Sequence, residues 1–174
     1  MSSFVSLGNA TQPFPRLLEA TGQAQALLPR PLIVQHGATS PAPLDGVADT
    51  LLHPFISMTD FETHMATARL LILHAGAGSV LHAVRAGKRP IVMPRRQHLG
   101  EHVDDHQLDF ARTLAQSGHV LLAETAADLP RAIAQALATP AATGQTQPES
   151  PMLRLVSDTL AGYAARLPPS SEPA

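Results

Sequence analysis

Between Leu70 and Gln107 the chain passes through an ordered series of residue types that few folds accommodate. Leu70-Leu-Ile-Leu73 is apolar, and His74-Ala-Gly-Ala-Gly-Ser79 is a small-residue turn. A helical stretch then runs to Gly87, Ile91-Val-Met93 is apolar again, and a polar loop ends in Asp104-Asp-His-Gln107. A short apolar run bounded by turn signals suits a strand buried on both faces. A strand that stops at a glycine-rich turn and feeds a helix leaves the first N–H groups of that helix without partners. Those groups and the helix dipole favour an anion such as phosphate. Gly76 and Gly78 let the backbone come close to a ligand. Ser79 is expected to cap the helix or bond the anion, and His74, at the strand end, is placed to face it. The turn is not a P-loop, which would end in Gly-Lys-Ser/Thr, and Leu81 breaks the Gly-x-Gly-x-x-Gly pattern.

The rest of the chain repeats the alternation. Strands are expected at Phe4–Leu7, Leu32–Gln35, Thr50–Phe55, Leu70–Leu73, Ile91–Met93 and His119–Ala123. Helices are expected within Pro13–Leu28 and over Thr59–Thr67 (capped by Thr59 or Asp60), Ser79–Ala86, Asp104–Gln116 and Asp128–Ala138. Strands alternating with helices make an α/β domain, a Rossmann-like open parallel sheet of about six strands with flanking helices. In such sheets ligands bind beyond the carboxyl ends of the strands, where the turn after Leu73 and the loop after Met93 would lie side by side. The domain is expected over 1–138, followed by a flexible Thr/Pro/Ala/Gly/Gln/Ser linker over 139–151. Residues 152–167 read as an amphipathic helix that packs on the sheet or reaches a partner, and 168–174 as a disordered tail.

At 174 residues, with 44 % hydrophobic and 15 % charged residues, the chain can bury a core. A formal charge of -2 and one Tyr, five Phe and no Trp give no electrostatic or stacking case for nucleic acid. The absence of Cys excludes disulfide and thiolate chemistry. No run approaches the roughly 18 apolar residues of a membrane span, and no signal peptide is read at the N-terminus, so a cytoplasmic protein is expected. Nine histidines are present, and His98, His102 and His106 fall at four-residue steps with Asp105 beside the last. On one helix they would share a face, but Gly100 interrupts it and no His-Glu-x-x-His order occurs. No metal site is assigned.

Taken together, His74-Ala-Gly-Ala-Gly-Ser79, Gly87-Lys-Arg-Pro-Ile-Val-Met-Pro-Arg-Arg96, Leu99-Gly-Glu101 and Asp105-His-Gln107 resemble the C-terminal domain of family 28 glycosyltransferases, the nucleotide-sugar half of the GT-B fold. The likeness spans about residues 4 to 125. It is nearest to the small donor-binding subunits of two-component exopolysaccharide glycosyltransferases, and extends to the donor-binding subunit of the eukaryotic dolichol-linked N-acetylglucosaminyltransferase. The resemblance implies that His74 and the N–H groups around Gly76, Ala77, Gly78 and Ser79 hold a donor diphosphate. It implies Gln107, with His106 beside it, on ribose or sugar hydroxyls, Phe55 and Ile56 against uracil, and Gly8 and Asn9 along the cleft. Arg95 and Arg96 would add positive charge near the phosphates, or would be solvated loop cations. Many family members carry Glu at the position of His82, where it binds ribose; here His82 bonds ribose less well, Glu101 replaces it, or His82 simply faces solvent. No cofactor is implied: the substrate is a UDP-sugar, and the motif requires no metal.

A GT-B enzyme places donor and acceptor sites on two facing domains, and this chain has length for the donor half. The resemblance therefore implies a hexosyltransferase of polysaccharide biosynthesis that is active with a membrane-anchored acceptor-binding subunit. That partner would supply the lipid-linked saccharide and the catalytic base, and would recruit the chain to the inner face of the cytoplasmic membrane. The alternative is a non-catalytic enhancer with a decayed donor site that stabilises its membrane-bound partner.

Overall fold

The computed structural model describes residues 1–138. The expected linker over 139–151, the helix over 152–167 and the tail over 168–174 lie outside the described residues. Six parallel strands form one sheet: β1 (Ser3–Ser6), β2 (Leu32–Gln35), β3 (Thr50–His53), β4 (Leu70–His74), β5 (Ile91–Met93) and β6 (Leu121–Leu122), in the order β3-β2-β1-β4-β5-β6. Five helices are interleaved with them: α1 (Pro15–Gln23), α2 (Met58–Thr67), α3 (Ala77–Arg85), α4 (His106–Gln116) and α5 (Leu129–Ala138). The expected α/β fold with a Rossmann-like sheet is the observed one.

The apolar runs are continuous because the strands are covered on both faces. Alternate residues of each strand feed opposite sides. Val5, Leu32, Val34, Ile72, Ile91 and Met93 join one core with Leu17 and Leu18 of α1 and Ile133 of α5. Phe4, Ile33, Leu71, Leu73 and Val92 join the other with Met65 of α2, Val80 and Val84 of α3, and Phe110 and Leu114 of α4. The chain moves outward from β1 to β3 and then returns to place β4 on the other side of β1. The order therefore reverses between β1 and β4. At that point the loops leaving the two strands diverge and open a crevice at the carboxyl edge.

Several element ends differ from the expected ones, for local reasons. Helix α2 begins one residue earlier than expected and is capped by Ser57, not Thr59 or Asp60. The extended backbone of Ser57 (ψ 158°) turns its Oγ to accept the Asp60 N–H at 3.1 Å, while the hydroxyl donates to Asp60 Oδ2 at 2.7 Å, a Ser-x-x-Asp cap. Helix α3 starts at Ala77, with extended Gly76 at the cap position and no side-chain cap, so Ser79 lies inside the first turn. Helix α4 starts at His106 instead of Asp104, because residues 104–105 turn the loop into it. The helix expected within Pro13–Leu28 stops at Gln23 and continues as a 3-10 turn over Gln25–Leu27. Strand β6 is only Leu121–Leu122, and β3 stops at His53.

Candidate functional site

A cavity of about 350 Å³ opens at the β1/β4 crevice. Its wall takes residues from the carboxyl ends of three adjacent strands: Ser6 ending β1 with Gly8 and Asn9 after it, Gln35 ending β2, and His74 ending β4. The first turn of α3 (Gly76, Gly78, Ser79) and the α2 side (Ile56, Ser57, Met58, Phe61), with His82, complete it. In α3 the Val80 N–H is the one that reaches back to the Gly76 carbonyl, at 3.0 Å. The preceding N–H groups of Ala77, Gly78 and Ser79 have no intrahelical acceptor, and they head a nine-residue helix at the cavity. This is a ready site for an anion.

His74 is fitted into that end of the cavity between two glycines. A Cβ on Gly8 would stand 2.6 Å from His74 Cε1, and one on Gly76 would collide with its Nε2. Gly8 also has φ +79°, which side-chain-bearing residues rarely adopt. Both positions therefore exclude larger residues, the first on conformation and contact together. His74 Nδ1 faces the Ser6 carbonyl oxygen at 3.4 Å. Burial foremost, then the positive charge of Arg95, lowers the His74 pKa to about 4 against an opposing pull from that carbonyl. The ring is neutral at physiological pH.

Under the cavity floor Ser6 Oγ donates to Gln35 Oε1 (2.8 Å) and accepts from the Gly8 N–H (3.3 Å), while Gln35 Nε2 donates to Asn9 Oδ1 (2.6 Å). This chain of bonds fixes the β1–α1 loop against the end of β2. Ser6 and Gln35 escaped sequence reasoning, as did Ser57, Met58 and Phe61. The rule that strand carboxyl ends line ligand crevices was a usable signal for Ser6 and Gln35, each the last residue of its strand. His82 lies on the cavity wall with its ring edge-on to Phe61, centroids 5.9 Å apart. It does not simply face solvent.

Other expected site residues are placed differently. Gly8, Asn9, Ile56, His74, Gly76, Gly78, Ser79 and His82 line the cavity; Phe55 is on its approach but 60 % exposed. Arg95, Glu101 and Gln107 are buried beside it and are committed to one another. Arg95 is 1 % exposed, so it is neither a solvated cation nor a phosphate contact. Its guanidinium donates to the carbonyls of Leu7 (2.7 Å), Gln12 (2.8 Å) and Glu101 (2.8 Å) and stacks 4.8 Å from the Phe14 ring centre, leaving Nε unbonded. Glu101 cannot serve a ribose from this position: its carboxylate accepts two bonds from Arg16 (3.1 and 2.8 Å) and one from the Arg96 N–H (2.9 Å). The Gln107 Oε1 accepts the Arg95 N–H at 3.2 Å. Arg96 pairs with Glu124 at 3.0 Å, and His106 contacts Asp104. The tertiary structure thus turns half of the expected ligand-contact motif into the frame that holds the cavity's loops.

Comparison with known proteins agrees with the fold. The family model described as "Glycosyltransferase family 28 C-terminal domain" matches residues 5–157. A 63-residue stretch is 40 % identical to the UDP-N-acetylglucosamine transferase subunit ALG13 of Yarrowia lipolytica. It covers 36 % of this chain and 30 % of that protein, so the chain spans under a third of this relative's length. Among solved structures, the calicheamicin glycosyltransferase CalG4 superposes with a TM-score of 0.62 at 22 % identity, over 96 % of this chain and 43 % of that one. The solution structure of ALG13 superposes with a TM-score of 0.56 at 18 % identity, over 91 % and 94 %. At these identities the two structures speak for the fold.

Proposed function

The chain belongs to the glycosyltransferase family 28 C-terminal domain family, and from that premise we propose that it is the donor-binding subunit of a two-component, UDP-sugar-dependent glycosyltransferase. It holds the donor for transfer of a hexosyl group to a lipid-linked acceptor in polysaccharide biosynthesis. The observation that carries this reading is the meeting of the bare N-terminus of α3 with His74 at the sheet's switch point. The diphosphate sits on the N–H groups of Ala77, Gly78 and Ser79, with the His74 ring against it. The uracil and ribose lie toward Ile56, Phe61 and His82. As the glycosidic bond to the donor breaks, negative charge grows on the leaving UDP, and the same fixed dipoles stabilise it. No metal enters this account of the donor, because helix end and backbone meet the diphosphate charge directly.

The acceptor half and the base that deprotonates the acceptor hydroxyl come from a membrane-anchored partner. No helix among the described residues is long and apolar enough to cross a membrane. In the proposed assembly the partner brings the chain to the inner face of the cytoplasmic membrane. The word "subunit" in the relative's name supports a shared assembly. Calorimetric titration with UDP-N-acetylglucosamine and a panel of other UDP-sugars, followed by turnover with and without the partner, tests the proposal. Saturable donor binding by the chain alone, with transfer dependent on the partner, is the expected pair of results. Robust transfer by the isolated chain would remove the two-subunit reading.

One observation favours a second reading. His82 occupies the cavity wall at the position where the family resemblance implies a carboxylate for the ribose, and an imidazole cannot accept both ribose hydroxyl protons as a carboxylate does. A chain that had lost donor recognition there would act as an enhancer that stabilises its partner. Absence of any binding heat with the whole panel would select it.

A further inference from the structure

We propose that His102, Asp104 and His106 form a binding site for a divalent transition-metal ion on the loop between β5 and α4. In the sequence His98, His102 and His106 fall at four-residue steps with Asp105 beside the last, and Gly100 interrupts the helix that would put them on one face. The fold groups them otherwise: His98 lies in a 3-10 turn over Gln97–Leu99, Asp105 Oδ1 is occupied by the Gln97 N–H at 2.8 Å, and Asp104 takes the central place. One ligating atom from each of His102, Asp104 and His106 lies within 4.8 Å of the others. Both imidazoles bring Nδ1 to the same oxygen, Asp104 Oδ1: His102 at 3.2 Å, and His106 in direct contact. The rings stand edge to face, with centroids 4.9 Å apart.

Asp104 Oδ1 is the point on which the cluster converges: it also accepts the His106 backbone N–H at 3.2 Å, while His102 Nδ1 accepts the Asp104 backbone N–H at 3.4 Å. The 3.2 Å between His102 Nδ1 and Asp104 Oδ1 is a spacing that one bound metal ion bridges. Two imidazoles and one carboxylate suit zinc, cobalt, nickel or copper rather than calcium or magnesium. Three protein ligands leave a position open, as in zinc sites that bind water or substrate, and all three residues are partly solvent-accessible.

The ligands are also held in place before any ion arrives. Arg95 grips both flanks of the segment: its guanidinium donates to the Glu101 carbonyl and its backbone N–H to the Gln107 side chain. A chelate of three side chains within five residues, pinned at both ends, loses little further freedom on binding.

The test titrates Co2+ and Zn2+ into the untagged full chain after chelator treatment, followed by calorimetry and by the visible absorption of Co2+. One equivalent is expected to bind, with Co2+ broadening the ring-proton NMR signals of His102 and His106 in the unmodified chain. His102→Asn and Asp104→Asn, with thermal melts to verify folding, should each weaken binding about tenfold or more, while His98→Ala leaves it unchanged. No saturable binding, or binding that leaves those two ring signals sharp, overturns the proposal. Donor titration in chelator reads the neighbouring cavity separately, so either site can fail while the other stands.

Discussion

His74 shows how much one residue's chemistry depends on what surrounds it. An imidazole at the end of a strand could be a cationic phosphate clamp. Here burial beside Arg95 keeps it neutral, with a pKa near 4. The unfolded chain takes up this proton as pH falls through 6.5, while the native state resists until about 4. The stability difference is therefore lost progressively across that window and is level below it. In the proposed donor complex a diphosphate beside the ring would reverse the balance, its negative charge raising the pKa and drawing in a proton. The affinity for UDP-N-acetylglucosamine should accordingly rise as pH is lowered from neutrality toward 5, by up to about tenfold per pH unit, and His74→Asn should flatten the profile. Calorimetry in buffers of different ionisation enthalpy counts the proton; an unchanged count in the variant would contradict this. Arg95 carries a second expectation. It is a buried cation whose partners are three carbonyls, not a carboxylate. Arg95→Met, close in shape, leaves those carbonyls unpaired, at about 1–3 kcal/mol for each group that water cannot reach. Denaturant unfolding should register a loss of about 3 kcal/mol or more.

At the scale of elements, the strand β4, the turn Ala75–Gly76 and helix α3 form one device. The strand fixes the direction, extended Gly76 starts the helix without a competing side-chain cap, and the free N–H groups face the cavity. Gly78 separates the needs of the fold from those of the site. A Cβ there meets nothing within 4 Å, and its φ is not in the left-handed region. Gly78→Ala should leave stability intact or raise it by up to about 1 kcal/mol, since alanine is the better helix former. It should weaken donor binding by about tenfold if the diphosphate lies against that backbone, a loss of about 1.4 kcal/mol. Thermal melts and donor titration on one sample read both effects. Equal affinity in the two proteins would place the diphosphate elsewhere.

At the scale of the whole molecule, the decisive fact is that, among the described residues, one edge of the sheet collects every proposed site. The cavity, the α3 N-terminus and the His102–Asp104–His106 cluster all lie on loops that follow strand carboxyl ends. The opposite edge carries none of the proposed sites. Large apolar side chains are also exposed on the first edge, Phe55 and Met58 after β3, and Leu99 and Val103 after β5. A donor half that works alone has no use for them, while a half that closes on an acceptor-bearing partner does. Replacing Leu99 and Val103 together by Ser should weaken partner-dependent transfer several-fold while leaving donor affinity unchanged and the melting temperature within about 2 °C, as expected of exposed positions outside the cavity.

The chain's own pattern determined the alternation of elements, the parallel sheet and the glycine-rich helix start after β4. These depend on local apolar runs, glycine positions and helix starts, which neighbours in sequence impose on each other. It could not determine which members of the Arg95–Gln107 loop serve a ligand and which serve the fold. The family resemblance makes Arg95, Glu101 and Gln107 recognition residues. Packing against Leu7, Gln12, Phe14 and Arg16, some 80 residues away in sequence, takes up the side chains of Arg95 and Glu101, and Gln107 is then held by the Arg95 backbone. Ser6 and Gln35 went unnoticed for the same reason: they meet across the gap between two strands. Whether a polar group is free to bind is decided by long-range contacts, and those exist only once the sheet has formed.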